Sequence, residues 1–127
     1  MRLTPKVLGV KLKKSLKNKE WVKYTFLPSI IKLGYQDIKV SEADLDDAQG
    51  CYKAEQAEIR IKQGMEPREK LNTLLHEIIH ACVYTYGLKD EFKDHDHEEK
   101  VVNALGNGLT DVFVRNKELI EFVRKSV

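Results

Sequence analysis

A chain of 127 residues, 42% hydrophobic and 33% charged, has room for one globular domain with a modest core and none for a large catalytic apparatus. Two cysteines are too few for a disulfide framework or a Cys-rich zinc knuckle, and no apolar run reaches the length of a membrane span. The segment Met1 to Pro5 lacks the apolar stretch of a secretory signal, so the cytoplasm is the expected location.

The net charge of +2 is unevenly distributed: residues 1–33 hold nine Lys or Arg against Glu20 alone, and residues 34–127 hold 13 against 19 acidic residues. The preferred reading of this basic block is a solvated face, because Lys11, Lys13, Lys14, Lys17 and Lys19 carry no interleaved aromatics and no recognisable nucleic-acid reading head. The alternative is a surface for nucleic acid or a protein partner. Val22, Phe26, Ile30 and Leu33 recur at helical spacing, so residues 6–33 are expected to contain helix, interrupted at Pro28; Trp21 to Phe26 alternates equally well as a strand.

Beyond Gly34 the pattern changes period. Residues 36–42 alternate Ile38 and Val40 with Asp37 and Lys39, as a half-buried strand does, and Asp44 to Asp47 break the run. Residues 50–54 and 57–62 read as a hairpin, with Ala57, Ile59 and Ile61 on one side of the second arm and Glu58, Arg60 and Lys62 on the other. A small antiparallel sheet is therefore expected, its edge strand free to line a cleft and pair with an extended peptide.

The next segment carries the chemistry. Leu71, Leu74, Leu75, Ile78, Ile79, Cys82 and Val83 recur at spacings of three, four and seven, which predicts an amphipathic helix from Pro67 to Tyr86. Pro67 suits the first turn, Glu66 and Glu69 complement the positive end of the helix dipole, and Gly87 suits a left-handed stop. Within this helix His76-Glu77-Ile78-Ile79-His80 spells H-E-x-x-H. Shuffled chains of this composition carry that motif about once in a hundred, so its helical context matters as much as the match. Residues i and i+4 share a helix face, so both imidazoles can reach one zinc ion, and Glu77 lies close enough to act on a water there. Cys82 falls on the apolar stripe and reads as a small buried hydrophobe.

After a charged loop over residues 88–97, a second helix is expected to start near Asp96 or His97 and to turn Val101, Val102, Leu105, Leu109, Val112 and Phe113 inward. Gly106 and Gly108 within it suggest close approach to the first helix, and Lys117 to Lys125 reads as a short terminal helix.

A catalytic zinc takes three protein ligands, so a third is required beyond His76 and His80. Position 86 is Tyr86 and position 83 is Val83, which excludes the long metzincin form of the motif. His95, His97, Glu98 and Glu99 are the remaining candidates. Glu99 is preferred, because Glu99-Lys100-Val101-Val102-Asn103 sets Asn103 one turn on, where its amide oxygen can accept from the second ring nitrogen of a ligating histidine. Tyr84, one turn past His80, is the nearest oxyanion donor and reads more simply as a packing residue.

Residues 71–109 resemble the gluzincin metallopeptidases, and more closely the small ImmA/IrrE-type and phage-encoded zincin-like domains. In those a short sheet, the H-E-x-x-H helix and a helix opening on a ligand glutamate form nearly the whole protein. The resemblance implies an α+β, minimal zincin-like fold with a metallopeptidase-like core at 34–127; residues 1–33, which do not share in the resemblance, are read from their charge as a basic N-terminal region of the same single domain, 1–127. It implies Glu99 as the third ligand, although Val102 stands where alanine is usual and Glu98 immediately precedes Glu99. The implied function is a zinc metallopeptidase that hydrolyses peptide bonds with a metal-activated water and Glu77 as general base. The alternative is a zinc-containing regulatory or binding protein without hydrolytic activity.

Overall fold

The computed structural model describes residues 27–127 and, before them, the backbone of three strands: β1 (Lys6–Val7), β2 (Val10–Lys14) and β3 (Trp21–Tyr24). These three form an antiparallel sheet in the order β1-β2-β3, with Lys11 opposite Tyr24 and Lys14 opposite Trp21. The helix expected within residues 6–33 is therefore replaced by strands, including β4 (Ile30–Leu33). The reason is local: Pro28 cannot donate into a helix, and Val10, Val22, Ile30 and Ile31 are β-branched. Whether the lysine block is a solvated face or a partner surface turns on side chains that lie outside the described residues.

The second sheet contains β4, β5 (Gln36–Ala43), β6 (Gly50–Lys53) and β7 (Glu58–Lys62), in the order β4-β5-β7-β6. β4 and β5 join through Gly34 and Tyr35, with Gly34 at φ +59° supplying the left-handed first position of a tight hairpin turn. β6 and β7 are the predicted hairpin, turning through Ala57 at φ +50°. The expected antiparallel sheet is instead mixed, because β5 and β7 pair in parallel, Val40 opposite Ile59. Residues 44–49 carry the chain one strand position past β5 before it returns, and β7 fills the gap. No alternation pattern encodes that skip.

Ile31, Ile38, Val40, Ile59 and Ile61 lie on one face of this sheet, and α1 (Pro67–Thr85) packs across them with Leu74, Ile78 and Ala81. Ile38, Ile59, Ile61 and Ala81 are fully buried, so the core is a single layer between sheet and helix. The polar side of β7 points away from it, as the alternation requires. α1 follows the predicted bounds and ends in a paired C-terminal cap: Gly87 has φ +68°, Leu88 N–H donates to Val83 C=O (2.9 Å), and Gly87 N–H donates to Tyr84 C=O (3.4 Å). Gln36, buried at the start of β5, donates to Thr85 Oγ1 (2.8 Å) and accepts from the Tyr52 hydroxyl (3.0 Å), tying β5, β6 and the end of α1 together.

A single 3₁₀ turn at Lys89–Glu91 leads to α2 (His95–Arg115), followed by α3 (Lys117–Ser126). Asp94 caps α2 by accepting from His97 N–H (2.8 Å). Val102 is fully buried as expected, but Leu105, Leu109 and Val112 are exposed. The buried line of α2 is Glu98, Val102, Gly106 and Thr110, at a strict spacing of four. Gly106 faces the His76 backbone, where an added Cβ would sit at 3.6 Å in ordinary van der Waals contact, so the two helices lie close here without requiring glycine; Gly108 meets nothing. No helix among the described residues is long and apolar enough to cross a membrane.

Candidate metal centre

α1 turns His76 and His80 out of the core layer towards α2, their Nε2 atoms 3.2 Å apart. Glu99, in the second turn of α2, closes the group: its Oε1 is 2.7 Å from His76 Nε2 and its Oε2 is 3.0 Å from His80 Nε2. These three residues could hold a metal ion, and no other cluster of three such side chains occurs among the described residues. The donor set passes a simple test of fit. Tetrahedral zinc with bonds of about 2.0 to 2.1 Å needs donors separated by about 3.3 Å, close to the spacings seen here. Two imidazoles, one carboxylate and an open side towards the cleft match a three-ligand site with a free position.

Glu77 sits one residue along the helix and faces the sheet. It is buried, 5% exposed, and its Oε2 has no hydrogen-bond partner. Burial pushes its carboxyl up to about 7, with His80 opposing the rise and the Glu99 carboxylate adding to it. Gly50 explains how a carboxylate fits there. A Cβ at that position would come within 2.7 Å of Thr73 Cγ2 and 3.3 Å of Glu77 Cγ, so only glycine lets the start of β6 lie against this part of α1.

A cleft of about 570 Å³ opens over these residues, walled on one side by Gly50, Cys51 and Tyr52 of β6 and on the other by Lys89, His95 and Asn103. β6 is the edge of its sheet. Lys62 N–H donates to Gln49 C=O (2.7 Å), and hydrogen-bonded pairs alternate along an antiparallel ladder. Gly50 and Tyr52 therefore turn their backbone N–H and C=O groups to the open edge, beside the cleft.

Of the sequence candidates, the fold brings together His76, Glu77, His80 and Glu99. His97 belongs to the start of α2, where its Nδ1 accepts from Lys93 N–H (2.9 Å) and its ring packs on Phe92, and His95 lines the cleft outside the group of three. Tyr84 also lines the cleft, 45% exposed and edge-on to Tyr52. The expected contact from Asn103 to a ligating histidine is not made; at His80 the second ring nitrogen faces Glu98 instead, whose Oε2 is 2.7 Å from Nδ1. Gly50, Lys89 and this use of Glu98 were not legible in the residue pattern; the paired glutamates Glu98-Glu99 were the one available signal. Cys82 is half-buried rather than fully buried, and burial raises its thiol pKa, consistent with a packing role. Compared with known families, curated proteins and solved structures, the chain matches none, so its own geometry carries the functional reading.

Proposed function

We propose that the protein is a zinc-dependent metallopeptidase of the gluzincin type, similar to the small ImmA/IrrE-like and phage-encoded zincin-like domains, with zinc held by His76, His80 and Glu99. The observation that carries this reading is Glu77. A purely structural metal site has no use for a buried, unpartnered carboxyl beside its ligands, whereas a hydrolase needs a proton acceptor there.

When bound, zinc supplies Lewis-acid polarisation of a carbonyl and acidification of a water molecule. Glu77 takes the proton of the attacking water and returns it to the departing amine. Burial beside the core keeps bulk water from levelling its basicity. The outward backbone groups of Gly50 and Tyr52 support binding of the substrate as an extended strand, which sets the scissile bond along the cleft instead of across it. Glu99 and the two histidines hold the ion from the α1–α2 side and leave the β6 side for the substrate.

The test uses Glu77→Gln. The variant is expected to retain one zinc per chain and the fold, and to lose peptide-bond hydrolysis by about two orders of magnitude or more, measured on an unfolded protein mixture by release of amines. Zinc-loaded wild type that cleaves nothing, together with a Glu77→Gln variant that keeps the cellular effect of the protein, would replace the peptidase with a zinc-containing regulatory protein. Substituting both His76 and His80 with alanine is expected to remove zinc completely, read by elemental analysis.

A further inference from the structure

Neighbouring residues on a helix point about 100° apart, so Glu98 and Glu99 cannot serve one ion from the same side. The fold separates them. Glu99 reaches into the space between the two Nε2 atoms, while Glu98 passes behind the His80 ring. The Glu98 side chain is only 8% exposed: its Oε2 is 2.7 Å from His80 Nδ1, and Lys89 Nζ, on an exposed side chain, stands 3.8 Å from Oε1. A carboxylate is kept in such a place only where hydrogen bonds and opposite charge offset its loss of water.

A carboxylate accepts and does not donate, so the proton between Glu98 and His80 sits on Nδ1; Nε2, which faces His76 and the Glu99 carboxylate, is the nitrogen left to exchange any proton of its own for an ion. We propose that Glu98 is the positioning residue of the metal centre: it holds His80 with a proton on Nδ1 and its ring aimed at the ion, while the Lys89 ammonium in the 3₁₀ turn lends favourable charge on the far side of Glu98. Adjacent glutamates thus divide the work, one to ligate and one to orient. The inference rests on the metal-centre part of the reading above and not on hydrolysis.

The experiment compares Glu98→Ala, Glu98→Gln and Glu99→Gln with wild type by zinc titration against a chromophoric chelator. Long-range ¹⁵N–¹H NMR of the His80 ring is recorded with and without zinc. Glu98→Ala is expected to keep one zinc per chain with affinity lower by about 10- to 100-fold, the usual effect of removing a histidine's outer partner; Glu98→Gln, which keeps an acceptor oxygen, loses less. Glu99→Gln loses more than either. In a His80→Ala background, Glu98→Ala is expected to have no further effect, a coupling that a merely structural residue would not show. Circular dichroism checks each fold, and the near-isosteric Gln variant carries the comparison where the Ala variant unfolds. Unchanged affinity in both variants, a Glu98 variant as damaging as Glu99→Gln, or a His80 ring with no proton on Nδ1 in wild type would each overturn the assignment. Wild type that binds no zinc sinks the metallopeptidase, and the His80 ring in the metal-free chain then decides Glu98 alone: an Nδ1 proton whose signal depends on Glu98 supports the role, and an unprotonated Nδ1 ends it.

Discussion

The two helices that meet at the metal centre are held by different forces. α1 lies on the sheet through Leu74, Ile78 and Ala81, against Ile38, Val40, Ile59 and Ile61. α2 buries one large apolar side chain, Val102; the rest of its buried line is Glu98, Gly106 and Thr110, while Leu105, Leu109 and Val112 stay exposed. α1 is placed by hydrophobic burial. α2 is placed by the near approach of Gly106 to the His76 backbone and by the contacts of Glu98 and Glu99 with the two histidines. A helix docked through candidate metal ligands would depend on a bound ion in a way that a core helix does not.

The strongest way to break this contrast is to load and then remove the proposed zinc. At zinc a thousandfold above its dissociation constant, binding stabilises the fold by about 4 kcal/mol, and that protection should appear chiefly as slowed amide exchange in α2. Chelation is expected to release α2 amides while the α1 amides next to Leu74 and Ala81 stay protected. Equal loss in both helices would mean that α2 is held by packing after all.

Leucine truncation sharpens the same difference. Leu74→Ala, at a site 8% exposed in the core, is expected to destabilise by about 2–5 kcal/mol, and Leu105→Ala, at a site 50% exposed on α2, by no more than about 0.5 kcal/mol in urea unfolding. Similar values for the two would place Leu105 in a contact that the fold does not show.

Glu77 adds a pH dependence that belongs to α1. Its folded pKa of about 7 lies above the ordinary value of 4.5, so the folded chain binds the proton more tightly than the unfolded chain between these limits. The stabilisation is fully present below pH 4.5 and is lost as pH rises through about 7. Metal-free wild type should therefore fall in stability relative to metal-free Glu77→Gln over that window, by at most about 3 kcal/mol, and level off above it. A flat difference would show that the carboxyl is not desolvated. The substitution proposed to test hydrolysis is thus expected to stabilise the metal-free fold at neutral pH, the usual conflict between a functional group and its burial.

Chain-local features were readable from the residues alone. The bounds of α1 follow from Pro67, the apolar spacing and Gly87; the β6–β7 hairpin follows from alternation; and the shared direction of His76 and His80 follows from four-residue spacing in one helix. Each depends on contacts between residues a few positions apart. What required the tertiary structure depends on how one element rotates or crosses against another. The parallel pairing of β5 with β7 comes from a loop that skips a strand position. The outward face of Leu105 and Leu109 comes from the rotation of α2 about its axis, and so does the division between Glu98 and Glu99, since about 100° of that rotation separates adjacent side chains. Hydrophobic periodicity reports that a helix has two faces. Which face meets α1 was settled by two histidines and a glycine 18 to 30 residues apart in sequence from their partners on the other helix, a separation across which no local pattern carries information.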